Sequence, residues 1–119
     1  MVPTDEYQRR IKKWPKKYKR ELGAMIGNTR KVFLALCGDA SVESLHFGFI
    51  HFEPGGVLAI DQKGGGTGLK QTRLYAYPHL REQILYLITM GDKKSQSDDI
   101  AHAKAFVDGV KRSDEERGQ

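Results

Sequence analysis

The chain has 119 residues, which suits a single domain with one hydrophobic core. Lysine and arginine together number 20 against 15 aspartates and glutamates, so the formal net charge is +5. No apolar run approaches the roughly 18 residues of a membrane-spanning helix. The N-terminus carries acids and no apolar segment, so it does not fit a secretory signal. The one cysteine excludes an internal disulfide and suggests no metal site. We therefore expect a cytoplasmic protein with no membrane attachment, bound metal or cofactor.

The positive charge is concentrated near the N-terminus. Residues 1–35 hold ten lysines or arginines and three acids, whereas residues 36–119 hold ten basic residues and twelve acids. A basic segment of this kind suggests a polyanionic partner, of which nucleic acid is the first candidate. The alternative is a solvated helix face with no partner.

Two helices joined as a hairpin are predicted before the first strand. Residues 4–13 place apolar side chains on one helical face, with Thr4 as the N-cap. Pro15 ends that helix and suits the first turn of a second helix over residues 15–36. Trp14 is expected to anchor the hairpin in the core, and stacking on a nucleic-acid base is the alternative for this side chain.

Basic residues cluster around the joint between these two helices. Lys16 and Lys17 lie at the joint itself, where we expect them to contact an RNA backbone. The full set comprises Arg9, Arg10, Lys12, Lys13, Lys16, Lys17, Lys19 and Arg20.

Four strands follow, because aromatic and branched residues alternate with turn signals. They are predicted at residues 45–53, 57–63, 69–77 and 83–90. Ser95 or Ser97 then caps a last helix, and residues 113–119 read as a disordered tail. The order predicts a single α+β domain over residues 1–112. In it, an N-terminal helical hairpin packs on a small, mainly antiparallel four-stranded sheet with a C-terminal helix.

Two features of the strand region bear on binding. The glycine-rich segment 64–68 is predicted to be a mobile loop, and the flanking Lys63 and Lys70 are candidates for binding a phosphate backbone.

His46 and His51 are separated by an odd number of residues, so they face opposite sides of a regular strand. We therefore expect surface or half-buried imidazoles rather than a pair.

Arg73 in the third strand is the main candidate for binding a phosphate. Gln71, Arg73 and Tyr75 share one face of the strand by the period of two. A charged residue in mid-strand requires either an open face or an acidic partner, and Asp61 and Asp92 are the candidate partners. On an open face, arginine would hold a phosphate and tyrosine would stack on a base.

Two lysines and a glutamine follow the fourth strand. They are Lys93, Lys94 and Gln96. RNA supplies its own nucleophile, the 2′-hydroxyl, so a protein that cleaves RNA must move protons and stabilise charge. A lysine or tyrosine can do this if neighbouring cations lower its pKa. The alternative for Arg73 is a structural ion pair between strands.

The segment from Gly64 to Ile100 carries a family resemblance. It reads GGGTGLKQTRLYAYPHLREQILYLITMGDKKSQSDDI. In this order, the segment contains a glycine-rich loop, an Arg-Leu-Tyr strand, an apolar strand, a Gly-plus-Lys turn and Ser-Asp-Asp at a helix start. The segment resembles the RelE/HigB-like toxins (RelE/ParE superfamily) of bacterial type II toxin–antitoxin systems.

The resemblance implies a toxin that acts as a metal-independent endoribonuclease on mRNA, free or on the ribosome. It also implies a cognate antitoxin, expected to be of the helix-turn-helix type, that wraps the toxin. Arg73 matches the strand arginine that holds the phosphate, Lys93 or Lys94 matches the cation after the fourth strand, and Lys63 and Lys70 match basic loop residues.

A non-catalytic relative is the alternative, because the late tyrosine of some members has no counterpart near Ile100. Such a protein would inhibit a protein target or bind nucleic acid. A small structural protein with solvated charges is the third interpretation.

Overall fold

A computed structural model describes residues 1–118. Short 3₁₀ turns occur at Lys16–Tyr18, Val42–Ser44 and Pro54–Gly56. The strands and α-helices, in chain order, are β1 (Val2–Pro3), α1 (Asp5–Lys12), α2 (Lys19–Cys37), β2 (Ile50–Phe52), β3 (Leu58–Asp61), β4 (Thr72–His79), β5 (Ile84–Asp92) and α3 (Gln96–Arg117).

The sheet is mixed and has five strands in the order β1-β5-β4-β3-β2 among the described residues. The three strand pairs from β2 to β5 are antiparallel, as predicted, whereas β1 pairs with β5 in parallel. The prediction of four strands was therefore incomplete. The two residues of β1 are too few to show any periodicity, so no sequence pattern indicates this strand.

The first strand of the predicted hairpin is shorter than expected. Pairing begins only at Ile50, although the apolar run begins at Leu45. Leu45 and Phe49 are buried in the core from an irregular segment, and the rings of Phe47 and Phe49 stack with centroids 4.9 Å apart. The apolar pattern in this segment thus reflects burial of side chains and not strand pairing.

The two N-terminal helices lie on one face of the sheet. Thr4 caps α1 as predicted, since its Oγ1 accepts from the backbone N–H of Tyr7 at 3.2 Å. However, α1 packs mainly against β5, whereas α2 packs against β3 and β4. The two helices thus differ from the predicted hairpin in that each packs on different strands. The second helix also begins at Lys19 and not at Pro15, because Tyr18 has a non-helical backbone.

The opposite face of the sheet carries α3. Its buried residues Ala103 and Val107 pack on Tyr75, Ile88 and neighbouring side chains of the sheet. The alternative of an open face was therefore wrong at Tyr75, which is buried, whereas Gln71 is exposed and Arg73 is intermediate. An apolar stripe on a helix predicts that the helix packs on a sheet, but not which face of the sheet it covers.

The last helix is longer than expected. It continues to Arg117, so most of the segment predicted as a disordered tail is helical, while Gln119 lies outside the described residues. Asp114 anchors this end of the helix, because its Oδ2 lies 2.6 Å from Nε2 of the buried His79. None of the helices within residues 1–118 has the length and hydrophobicity needed to cross a membrane.

The glycine-rich loop is attached to α2 at both ends. Asn28 donates from Nδ2 to the backbone oxygen of Lys63 at 3.0 Å. At the other end, the backbone N–H of Lys70 donates to Oε2 of the buried Glu21 at 2.8 Å. Arg20 also donates to the carbonyl of Thr67 at 3.3 Å. The loop is therefore less free than its composition predicts.

A buried carboxylate joins α3 to the other face of the sheet. Asp99, 1% exposed, accepts from Ser95 Oγ at 2.7 Å and from Arg10 Nη2 at 3.1 Å. Arg10 also donates from Nη1 to the carbonyl of Met90 at 2.8 Å. Burial raises the pKa of Asp99, and the hydrogen bond from Ser95 and the charge of Arg10 oppose this rise. Gly91 provides the space, because a Cβ there would overlap Asp99 and Ser95.

We expect Gly91→Ala to lower the free energy of unfolding by about 1 to 3 kcal/mol, because the added methyl group must displace Asp99 and Ser95. Gly109→Ala in α3 is the matched control, since nothing lies within 4 Å of the position that an added Cβ would take. The control should gain up to about 1 kcal/mol of helix stability. Urea denaturation of both variants measures the difference. Equal stabilities would show that Gly91 is not a packing requirement.

Candidate functional site

Four ionisable side chains lie together on the sheet face that α3 leaves partly uncovered. We call His51, Glu53, Asp61 and Arg73 the polar cluster. Asp61 and Arg73 are direct cross-strand partners, and His51 pairs with Ala59, two residues before Asp61. Because alternate residues of a strand share a face, these pairings bring residues of β2, β3 and β4 together with Glu53, which directly follows β2.

His51 and Asp61 form a hydrogen-bonded pair. The distance from His51 Nε2 to Asp61 Oδ2 is 2.8 Å, and the two side chains are 33% and 5% exposed. Asp61 Oδ1 accepts from the backbone N–H of Lys63 at 2.8 Å, and Lys63 Nζ lies 4.0 Å from Oδ2. Asn28 donates from Nδ2 to the backbone carbonyl of Asp61 at 2.9 Å. The backbone and the carboxylate of Asp61 are thus both held in place.

This pair has the geometry of an acid–base catalyst. A buried carboxylate that accepts from one imidazole nitrogen fixes the tautomer and the orientation of the ring. Nδ1 of His51 is then left to take or give a proton, because the ring is one-third exposed. The pair can therefore transfer protons to a ligand bound beside it.

Arg73 is largely buried and lacks hydrogen-bond acceptors. Its side chain is 17% exposed, and its Nη1 lies 3.7 Å from Glu53 Oε1, which is longer than a hydrogen bond. Its Nε is buried and finds no acceptor within residues 1–118. The closed-off Nε is therefore an unfavourable buried group, whereas the partly exposed guanidinium keeps donors for an anion because Glu53 lies beyond hydrogen-bond distance.

The acidic partner of Arg73 differs from both predictions. Asp61 is engaged by His51 and Lys63, although it is the cross-strand neighbour of Arg73. Asp92 uses Oδ1 to accept the backbone N–H groups of Lys94 and Ser95. Glu53 is the acid that reaches Arg73, from the segment after β2.

Tyr75 does not have the role that the sequence predicts. Its residue exposure is 1%, because α3 covers the ring, so the ring has no surface for a base to stack on. Burial, and then the charge of Asp99, raises the pKa of Tyr75 to about 12, although Arg73 acts in the opposite direction. The condition for a tyrosine to transfer protons, a pKa lowered by neighbouring cations, is therefore not met at Tyr75, which remains a neutral phenol.

The other predicted residues are only partly brought together. Lys63 joins the polar cluster through Asp61, and the Gln71 and Gln96 amides lie 3.5 Å apart. Lys93 and Lys94 are exposed on the turn after β5.

Three further lysines lie apart from the polar cluster. The side chain of Lys70 is exposed, and its backbone is tied to Glu21. Lys16 and Lys17 are exposed on the 3₁₀ turn between α1 and α2, with Lys17 Nζ 5.1 Å from the centre of the Tyr18 ring. The fold therefore brings only Lys63, among the candidate lysines, to the polar cluster that contains Arg73.

His51 and Glu53 belong to the polar cluster but were not candidate site residues from the sequence. His51 was set aside because it could not pair with His46 on a strand. The turn at Pro54–Gly56 indicates the placement of His51, since a hairpin closed there brings His51 near Asp61 on one face. Residues 1–118 contain no group of three or more histidines, cysteines and acids arranged to hold a metal ion.

Comparison with protein-family models gives no match, and comparison with curated proteins gives no significant match. A cavity of about 420 Å³ lies between α2 and the β4–β5 turn, and it contains none of the four residues of the polar cluster.

The raised pKa of Tyr75 predicts a loss of stability at high pH. The folded-state pKa is about 12 against an ordinary value of 10, so folding favours the neutral phenol. This contribution is fully present below pH 10 and is lost as the pH rises through about 12. We expect the free energy of unfolding of the wild type to fall relative to that of Tyr75→Phe above pH 10. Urea titrations on both sides of pH 10 measure this difference, and parallel profiles would contradict it.

Proposed function

We propose that the protein is the toxin of a type II toxin–antitoxin pair and cleaves mRNA as an endoribonuclease in the cytoplasm. The observation that carries this proposal is the His51–Asp61 pair beside the partly exposed guanidinium of Arg73, whose nearest acid, Glu53, lies beyond hydrogen-bond distance. This combination offers proton transfer and anion binding in one place, and both are required for cleavage by the 2′-hydroxyl. The resemblance of residues 64–100 to RelE/HigB-like toxins supports the same function.

The proposed reaction begins with His51. Its Nδ1 removes the proton of the 2′-hydroxyl, while Asp61 holds Nε2 and stabilises the imidazolium that forms. The 2′-oxygen attacks the adjacent phosphorus, and the bond from phosphorus to the 5′-oxygen breaks. The products are a 2′,3′-cyclic phosphate and a 5′-hydroxyl end.

Arg73 and Lys63 handle the charge in this proposal. The Arg73 guanidinium donates to the non-bridging phosphate oxygens, whose negative charge increases in the transition state. Lys63 supplies the proton to the leaving 5′-oxygen, and solvent then restores both groups by reprotonating Lys63 and taking the proton from the His51 imidazolium. Lys93, Lys94 and Lys70 would contact the RNA backbone from outside the cluster, as the exposed Lys16 and Lys17 would contact ribosomal RNA or mRNA.

A non-catalytic binding protein is the second candidate. The pairing of Arg73 with Glu53, and the exposure of Lys93 and Lys94 outside the cluster, favour this alternative. Such a protein would inhibit a protein target or bind nucleic acid, and a helix-turn-helix antitoxin would be its partner in either case.

We expect His51→Gln to lower the rate of RNA cleavage by about 10² to 10⁴-fold, the usual contribution of one acid–base group. Arg73→Ala should lower it by about 10² to 10³-fold, the usual effect of removing a donor to transition-state charge. His46→Ala is the matched control, because His46 is exposed and makes no contact with Asp61. Cleavage of a labelled transcript is measured, with the 2′,3′-cyclic phosphate identified at the new end. Circular dichroism melts of each variant confirm that it is folded.

Two outcomes would contradict the catalytic proposal. Folded His51→Gln and Arg73→Ala variants that cleave as fast as the His46→Ala variant would remove these residues from the reaction. Growth arrest by the wild type with intact transcripts would select the non-catalytic alternative.

Glu53→Gln should strengthen RNA binding, in contrast to the loss of activity expected for the two preceding variants. Glu53 competes with phosphate for Arg73, so the neutral amide should lower the KM for RNA several-fold with a smaller change in kcat. Steady-state kinetics at low salt measure this effect. A raised KM would show that Glu53 supports the phosphate site and does not compete with it.

A further inference from the structure

A second cavity lies at the basic joint, away from the polar cluster. It has a volume of about 210 Å³ and forms where the turn between α1 and α2 meets the end of β5 and the start of α3. We call it the joint pocket. Its lining includes two aromatic rings, two cations and one carboxylate: Trp14, Tyr18, Arg10, Lys13 and Asp92.

The aromatic wall of the joint pocket is held in place. Trp14 Nε1 donates to the carbonyl of Tyr18 at 2.8 Å, and the two rings lie 6.4 Å apart at 57°. Trp14 is half-buried and packs against the core. An indole fixed by a hydrogen bond at one edge and by core packing loses little freedom when a flat ligand stacks on it.

The two cations of the pocket differ in whether they already bind other residues of the protein. Arg10 is already used by Asp99 and Met90. Lys13 lines the pocket and is exposed, and it forms no ion pair within the described residues. A free ammonium beside an aromatic wall suits a ligand that joins a flat ring to a phosphate.

Asp92 gives the pocket a hydrogen-bond acceptor. Its Oδ1 accepts the backbone N–H groups of Lys94 and Ser95 at 2.9 and 3.3 Å, which fixes the carboxylate. Its Oδ2 makes no hydrogen bond to any of residues 1–118, so it is available to a donor in the pocket. Adenine, cytosine and guanine carry exocyclic amino donors, whereas uracil presents its one N–H between two carbonyl oxygens.

We propose that the joint pocket binds one nucleobase with an exocyclic amino group, as a subsite for the RNA strand. The base would stack on Trp14, its amino group would donate to Asp92 Oδ2, and its phosphate would contact Lys13. The volume suits one ring system, because pockets for larger ligands measure about 300 to 1,000 Å³. This inference rests on the proposed function for its substrate class, but binding in the pocket does not require cleavage.

The chain offers a direct probe of the pocket, because Trp14 is its one tryptophan. The experiment titrates the tryptophan fluorescence of the folded His51→Gln variant with nucleoside 5′-monophosphates and with 2′-O-methyl trinucleotides. AMP, CMP and GMP should give a saturable change with Kd about tenfold lower than that of UMP, the effect of one hydrogen bond to a charged group. Inorganic phosphate alone should leave the fluorescence unchanged.

Asp92→Asn is the decisive variant. An asparagine oxygen can still accept from Lys94 and Ser95, so the turn should be kept, while the amide nitrogen becomes a donor. The preference should therefore shift from the amino-bearing bases towards uracil. Lys13→Ala should raise every Kd for monophosphates several-fold, whereas Lys104→Ala, an exposed lysine on α3, should not.

The outcomes separate this proposal from the catalytic one. Fluorescence that responds to no nucleotide, or a base preference unchanged in Asp92→Asn, would overturn the joint pocket as a base site. Saturable, Asp92-dependent binding would support it even if the wild type cleaves no RNA. Cleavage by the wild type without any fluorescence response would leave the catalytic proposal intact and reject the pocket.

Discussion

The buried contact between Asp99 and Arg10 is the constraint on which the arrangement of the layers depends. It joins α3 on one face of the sheet to α1 on the other, around the end of β5. The contact is possible only because β5 has a glycine where the first turn of α3 approaches it. Truncating one partner of a buried ion pair leaves an uncompensated charge, so this contact is costly to break. The start of α3, and with it the uncovered end of the sheet, is thereby fixed.

The position of α3 determines what the sheet can offer to a ligand. The helix buries Tyr75 and the middle of the face, but it begins beyond the end of β5, next to the pairing of Arg73 with Gly91. The ionisable residues of β2, β3 and β4 therefore occupy the part of the face that is left. A tyrosine that looked available in the sequence becomes part of the core, while a histidine that looked incidental becomes the most accessible titratable group of the cluster.

Much of the fold could be predicted from local patterns. The Thr4 cap, the helices, four strands and the α+β class follow from periodicity and turn residues, and the structure agrees with them apart from their exact bounds. Ser95 occupies the N-cap position of α3, but its hydroxyl bonds Asp99 and caps no backbone N–H. The strand β1 could not be predicted, because two residues carry no pattern. The partner of Arg73 could not be predicted either, since Glu53 reaches it through the three-strand arrangement and not through sequence proximity. Burial of Tyr75 depended on which face the last helix covers, and amphipathicity does not encode that choice.

The double attachment of the glycine-rich loop has a consequence for how the site can change. Asn28 and Glu21 hold the two ends of the loop against α2, so the strands on either side keep their register whatever the loop contains. For a loop with fixed ends, doubling the length costs only about 0.6 kcal/mol in closure entropy. Substitution is restricted within residues 64–68, because Gly64, Gly66 and Gly68 have positive φ and a Cβ at Gly65 would overlap Ala24. Insertions and replacements at Thr67 are therefore the changes that can alter the surface beside Lys63 with the least loss of stability.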